Sequence, residues 1–303
     1  MTMKLNLQVN SQSFAVFDWI MGLLAFFAVL SAVLGLWLGG VWRYIFLITV
    51  LGLALLAYGI WMAPKRLKVT KLRESLAKAP KTWLKAVFVA DLHAGPQTNR
   101  EWFDRVFSSI KETQPDILLL GGDFVVSDTS YLDQLKGLSG LDPAYGKYFV
   151  LGNHDYLDDP AEVTRQLQEW GLSDLTNMSR VVRFQGNELI LAGLDDALMG
   201  VPKLPQLEAG GSPCVVLAHG PDLLLDMREG QAELALCGHT HGGQIRLPVI
   251  GSMVVPSKLK RHADMGRRII NGIPVFVSRG VGEVLCRARL FCPPEIVVME
   301  LGI

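Results

Sequence analysis

At 303 residues the chain is longer than one typical domain, and 50% of it is hydrophobic. A mean hydropathy of +0.29 is too high for an ordinary soluble domain. Its 29 basic and 29 acidic side chains cancel, and it has no basic-aromatic strip, so a nucleic acid is not expected as partner.

The first predicted element is a pair of membrane-spanning helices. No charged residue occurs from Trp19 to Trp42, nor from Tyr44 to Ala63. About 20 apolar residues suffice to cross a bilayer as a helix. Trp19, Trp37, Trp42 and Trp61 lie near the ends of the runs, where amphipathic rings favour the headgroup level. A cleaved signal peptide fits poorly, because the first run is too long, Lys4 is a thin basic region and a second run follows at once. A buried core hairpin would show an amphipathic period, and neither run has one. Residues 1–64 are therefore read as an N-terminal segment and a transmembrane hairpin with a tight turn at Gly39–Arg43.

Residues 65–82 are read as a basic juxtamembrane linker. Lys65, Arg66, Lys68, Lys71 and Arg73 follow the second run, whereas the inter-helix turn offers only Arg43. By the positive-inside rule the remainder of the chain faces the cytoplasm. These cations suit anionic lipid headgroups and plain solvent equally. Cys214, Cys237, Cys286 and Cys292 form no CxxC pair, which reads as free thiols or small buried hydrophobes in a reducing compartment.

Residues 83–303 have the composition of one globular domain. Short apolar runs recur and stop at polar residues able to bind metal: "AVFVADLH" at Asp91 and His93, "DILLLGGD" at Asp123, "YFVLGNHD" at Asn153, His154 and Asp155, "CVVLAHG" at His219, and "LALCGHTH" at His239 and His241. Unalternating runs of this length predict strands buried on both faces. "NREWFDRVFSSIKETQ" and "PAEVTRQLQEWG" predict helices between them, the second with Pro160 near its start and Gly171 at its end. Strand, polar turn, helix, strand is the rhythm of an α/β fold. By pattern alone it suggests a doubly wound sheet, whose ligands bind beyond the carboxyl ends of the strands. Five of the six histidines fall in these turns, and only His262 lies elsewhere.

Imidazoles, carboxylates and an amide without thiolate suit Mn²⁺, Fe²⁺, Mg²⁺ or Zn²⁺. The donors are too many for one ion and enough for two. A pair about 3.5–4 Å apart needs a shared carboxylate, and Asp123 is placed to bridge. His154 is placed to protonate a leaving oxygen or steady the developing charge. Asp155 reads in two ways, as the group that orients His154 or as a helix cap. "GGDF" lacks the acidic fourth position of a diguanylate cyclase signature, and "GVGEV" has no companion glycines or Walker lysine.

The succession D-x-H (Asp91, His93), G-D (Gly122, Asp123), G-N-H-D (Gly152 to Asp155), His219 and G-H-x-H (Gly238 to His241) resembles the calcineurin-like metallophosphoesterase superfamily. The likeness runs from about Phe88 to the C-terminus and leaves out the hairpin. "GHTHGGQIRLP", "SRGVG" and "RLFCPPEIVVMEL" are similar to its membrane-associated bacterial branch. That branch includes YkuE- and YaeI-like phosphoesterases and the chlamydial-type UDP-2,3-diacylglucosamine pyrophosphatase. The resemblance implies a β-sandwich of two mixed sheets flanked by helices. It implies one metal ion held by Asp91, His93, Asp123 and His241, and a second held by Asp123, Asn153, His219 and His239. His154 would be the catalytic histidine. No expected ligand is missing, which argues against a non-catalytic scaffold on this fold.

Arg279, after another strand-like run, is expected to contact a substrate phosphate. The segment from Arg246 to Arg268 mixes apolar residues with Lys258, Lys260, Arg261 and Arg267. It reads either as a loop holding a lipid tail and headgroup phosphate or as a solvated basic hairpin. Together these features lead to a multi-pass protein of the bacterial inner membrane with two bound divalent ions, most simply Mn²⁺. Its partners would be the bilayer and a lipid-linked phosphodiester or pyrophosphate. The leading substrate is UDP-2,3-diacylglucosamine, and the alternative is another lipid or a nucleotide.

Overall fold

The computed structural model describes residues 11–38, 40–205 and 211–303. The segment before the hairpin, with Lys4, and Gly39 of the expected turn lie outside the described residues. Helix α1 (Ser11–Leu38) packs on α2 (Val41–Ala57). The Ser31 hydroxyl donates to Thr49 Oγ1 across the pair at 3.4 Å. Gly35 permits this closeness, since a Cβ there would stand 2.8 Å from the Trp42 carbonyl oxygen. Beyond α2 the backbone stays helical through a π turn (Tyr58–Met62) and a 3-10 turn (Ala63–Lys65). Val41–Lys65 is thus one helical stretch of 25 residues, long and apolar enough to cross a membrane.

Fourteen strands follow among the described residues. They are β1 (Lys68–Ser75), β2 (Trp83–Val89), β3 (Ile117–Leu120), β4 (Lys147–Phe149), β5 (Leu172–Asp174), β6 (Ser179–Phe184) and β7 (Asn187–Gly193). Then come β8 (Cys214–Ala218), β9 (Leu234–Cys237), β10 (Arg246–Leu247), β11 (Gly251–Ser252), β12 (Gly266–Ile270), β13 (Ile273–Val277) and β14 (Glu295–Gly302). Twelve of them build two six-stranded sheets, ordered β1-β14-β2-β3-β4-β5 and β12-β13-β9-β8-β7-β6. Each is mixed: β2 to β5 run parallel with β14 antiparallel to β2, and β7, β8, β9 and β13 run parallel with antiparallel β6 and β12 at the edges. The domain is therefore a two-sheet α/β sandwich and not the single doubly wound sheet that pattern alone suggests.

The burial explains why the strand runs do not alternate. On β2, Leu84, Ala86 and Phe88 face the core between the sheets, where they meet Leu191, Leu217 and Leu236. Val87 and Val89 face the other way, onto Phe103, Val106 and Ile110 of α3 (Arg100–Thr113). Both faces are covered, so both sets are apolar. Helix α3 starts where the Asn99 side chain accepts the Trp102 N–H at 2.9 Å. Helix α4 (Pro160–Glu169) starts at Asp159, whose carboxylate caps Ala161 and Glu162. All four cysteines are free.

The structure differs from the sequence reading over residues 65–82. Lys68–Ser75 is no linker: all eight residues pair in parallel with β14. Its charges belong to an edge strand, where exposed lysine and arginine deter further pairing. Leu72 turns inward onto the core between the sheets, and Arg73 stacks over Trp83 at 3.8 Å. The folded domain therefore begins at β1.

Candidate metal centre

The parallel strands of both sheets end along one rim of the sandwich. From the first sheet β2 delivers Asp91 and His93, β3 delivers Asp123, and β4 delivers Asn153, His154 and Asp155. From the second, β8 delivers His219 and β9 delivers His239 and His241. The turns keep pairing after the strands stop: the His93 N–H donates to the Asp123 carbonyl at 3.0 Å and the Gly238 N–H to the His219 carbonyl at 2.9 Å. Asp91, His93, Asp123, His239 and His241 have φ of 54°, 48°, 56°, 68° and 51°. Non-glycine residues seldom enter this left-handed region, and holding them there costs on the order of 1–3 kcal/mol each. That five donors of one cluster share it marks the rim as a functional site. Glycines let the turns close: a Cβ on Gly238 would stand 2.6 Å from Asp91 Oδ2.

Two groups of donors result. The ligand atoms of Asp91, His93, Asp123 and His241 lie within 4.8 Å of one another, as do those of Asp123, His219 and His239. Asp123 belongs to both, and its Oδ2 is 3.4 Å from His93 Nε2 and 3.2 Å from His219 Nε2. Asn153 Oδ1 adjoins the second group, 3.2 Å from His219 Nε2. His93 Nε2 and His241 Nε2 face each other at 3.0 Å. Asp91 Oδ2, His93 Nδ1 and His241 Nδ1 are buried with no hydrogen-bond partner. Converging ring nitrogens and an orphaned buried carboxylate oxygen are costly alone and favourable around a cation. The donor set fits divalent metal ions.

The electrostatics agree. Burial lowers His93 to about 3 and His239 to about 4, so both rings offer a neutral lone pair at physiological pH. Burial also lifts Asp91 to about 7, against the pull of His219. Asp123 sits well below the ordinary carboxylate value despite its burial, because His219 and His154 face it.

His154 packs edge-on against His93 with ring centroids 4.7 Å apart. Its Nδ1 lies 2.5 Å from the Val126 carbonyl, which can only accept. Nδ1 therefore carries the proton, and Nε2 is left for chemistry. Asp155 does not touch that ring. Its carboxylate instead accepts the N–H groups of Asp123, Phe124, Val125 and Gly152, tying the turn after β3 to the turn after β4. Arg279 also has another partner. Its guanidinium donates to Glu295 Oε1 at 2.7 Å and to Thr70 Oγ1 at 3.3 Å, and its N–H donates to Glu295 Oε2. The basic segment begins with the β10–β11 hairpin and runs on into β12; Arg246 of β10 and Arg268 of β12 are paired with Asp264, and Arg267 with Glu74. In the hairpin, the tip leaves Val249 fully exposed and Ile250 half exposed.

Sequence reasoning missed three groups. Arg289 is fully buried behind the centre and donates to the carbonyls of Arg279, Gly282 and Cys292. Asp195 and Asp196 are buried after β7 and bind the N–H groups of Val201, Leu198 and Met199. Tyr156 donates to Asp195. The signal for this pair was present: "ELILAGLDD" has the same apolar-run-then-acid rhythm as the ligand strands.

The sequence profile of the calcineurin-like phosphoesterases matches residues 84–243. The chain belongs to that family. This phosphoesterase is 33% identical over 225 residues to "Phosphodiesterase YaeI" of Escherichia coli (strain K12), covering 72% of this chain and 82% of that protein. It is 27% identical over 254 residues to the uncharacterized metallophosphoesterase YkuE of Bacillus subtilis (strain 168), covering 80% and 88%. To the "Transmembrane protein with metallophosphoesterase domain" of Danio rerio it is 29% identical over 282 residues, covering 86% and 63%. Family and donor geometry together make the protein a metal-dependent phosphoester hydrolase.

Proposed function

We propose that the phosphoesterase is a multi-pass protein of the bacterial inner membrane. Its dinuclear centre, on the cytoplasmic side, hydrolyses a phosphodiester or pyrophosphate in a membrane-borne substrate. The observation that carries this reading is the pair of donor groups sharing Asp123, set on a domain whose first strand is separated by only two residues from an apolar helix of 25 residues. The leading substrate is UDP-2,3-diacylglucosamine, cleaved to lipid X and UMP. It is supported by the likeness of the "GHTHGGQIRLP" and closing segments to the branch that contains such a pyrophosphatase. A second reading, a broader phosphodiesterase on another lipid or a nucleotide, is favoured by the relative named a phosphodiesterase. Mn²⁺ is the proposed resident ion.

In the first donor group Asp91, His93, Asp123 and His241 would hold one ion. Asp123, Asn153, His219 and His239 would hold the other. Such a pair supplies charge neutralisation and an activated water at neutral pH. The protein's own contribution begins with His154: its Nδ1–H is fixed on the Val126 carbonyl, and as an imidazolium it would give its Nε2 proton to the leaving oxygen, returning to the neutral Nδ1–H ring. Asp155 holds the turns that carry Asp123 and His154 in register. The Gly121 carbonyl fixes His219 through Nδ1 at 2.7 Å, leaving Nε2 toward Asp123.

The test is detergent-purified full-length protein with Mn²⁺ and UDP-2,3-diacylglucosamine, assayed for UMP and lipid X. Turnover is expected in the parent, with a loss of roughly a hundredfold or more in His154→Ala, the scale of general acid catalysis. Cleavage of bis(p-nitrophenyl) phosphate without any UMP would discard this substrate and favour the second reading. No hydrolysis of either compound would overturn the proposal.

A further inference from the structure

A cavity of about 1270 Å³ lies between the helical hairpin and the domain. We propose that this groove binds the acyl tail of a phosphate-ester lipid, holding the lipid beside the metal centre. The inference rests on the reading of a membrane-borne substrate and gives that substrate its place.

Leu53, Leu56, Ala57 and Ile60 line one wall of the groove, with Ala25 of α1 beside them. Their spacing of i, i+3, i+4 and i+7 puts them on one helix face. That face is half-buried, whereas Leu51 and Ile48 on the outward side are 61% and 71% exposed. The facing wall is mostly polar, with Gln97, Asn99, Glu101 and Arg105, and Trp102 among them, from the start of α3 and the loop before it. One wall is thus solvent for hydrocarbon and the other for a headgroup. An amphiphile satisfies both, and water alone satisfies only one.

The inner wall, Val281–Gly282, is shared with the centre. The Gly282 N–H donates to the Asp91 carbonyl at 2.6 Å, and a Cβ on Gly282 would stand 2.7 Å from the His93 Cβ. The loop that lines the groove from Pro96 to Asn99 leaves His93 through Gly95, which packs on Val126, whose carbonyl holds His154. Groove and reactive rim are therefore the two sides of one loop. The hairpin is fixed in this position, because the Arg289 N–H donates to the Gly59 carbonyl at 2.9 Å.

The probe is a phosphatidate carrying a diazirine near the end of its acyl chain, photolysed with the full-length protein in detergent and mapped by peptide mass. Adducts on Leu53, Leu56, Ala57 and Ile60 should exceed those on Ile48 and Leu51 at least tenfold, and A25W/A57W should remove that excess. Equal labelling of both faces would mean ordinary lipid contact and would overturn the proposal. A second readout is the ratio of UDP-2,3-diacylglucosamine to bis(p-nitrophenyl) phosphate turnover. It should fall at least tenfold in A25W/A57W and hold in L51W, whose added ring faces outward. An unchanged ratio in A25W/A57W overturns the groove while leaving a lipid hydrolase intact. Selective labelling without any lipid hydrolysis supports the groove and sinks the proposed substrate instead.

Discussion

The Asp155 carboxylate accepts four backbone N–H groups in a fully buried place. Asp155→Ala would leave those donors without a partner, at a cost of roughly 3 kcal/mol or more by urea unfolding, and Mn²⁺ affinity should fall with it. Removal of metal acts in the same direction. Ions bound at a thousandfold over their dissociation constant stabilise by about 4 kcal/mol, so chelation should lower Tm by about 8 °C or more in calorimetry, with recovery on adding Mn²⁺. Glu283 gives a pH signature. Burial lifts its carboxyl from 4.5 to about 7, against the pull of Arg289 and Arg287. The folded state thus holds the proton more tightly than the unfolded chain, so stability from this group is complete below pH 4.5 and is lost as pH rises through 7. Glu283→Gln, which cannot ionise, should match the parent Tm at pH 4.5 and exceed it by at least about 3 °C at pH 8. At this scale the clustered donors were legible because histidine and aspartate at strand ends carry their chemistry in their type. Arg289 and Glu295 were not. A charged side chain reads as solvated until the fold surrounds it, and only then are Arg289's three carbonyl partners and Glu295's bond to Arg279 within reach.

Helices α3 and α4 followed from their sequence pattern, α4 also from Pro160 and Gly171 at its ends, and β2, β3, β8 and β9 from their apolar runs. β1 was missed for a physical reason: its eight residues include Lys68, Lys71, Arg73 and Glu74, and only Leu72 among them packs onto the core. An edge strand needs few apolar side chains, since its stability comes from the ladder to its neighbour. That ladder can be tested by shortening the chain. A protein beginning at Leu67 retains β1 and should unfold in one cooperative step by circular dichroism. One beginning at Trp83 strips the partner from β14 and leaves an open, apolar edge, so it should aggregate or lose cooperativity. The two-sheet architecture was legible only through the family likeness. Strand periodicity reports that a strand is buried on both faces, and it is silent on whether a helix or a second sheet covers it.

On the scale of the whole molecule, the apolar helix Val41–Lys65 was legible in hydropathy alone, because its run carries no charge over a length that could cross a bilayer. Its docking on the domain was not, since a backbone bond between Gly59 and Arg289 joins positions 230 apart and leaves no trace in local pattern. An alkaline carbonate wash should leave the full-length protein in the membrane pellet, and its release into the supernatant would count against the spanning helix. Only Arg66 and Leu67 separate the last helical turn from β1, and two residues reach no more than about 7 Å. With that helix in a bilayer, an enzyme on so short a leash would not roam. On the proposed reading it would patrol a plane at one height, meeting lipids that arrive by lateral drift and ignoring those that never surface at that depth. Were such a lipid cut there, the two halves would part company at the boundary: the water-loving fragment would depart in three dimensions, and the greasy one would stay behind in two.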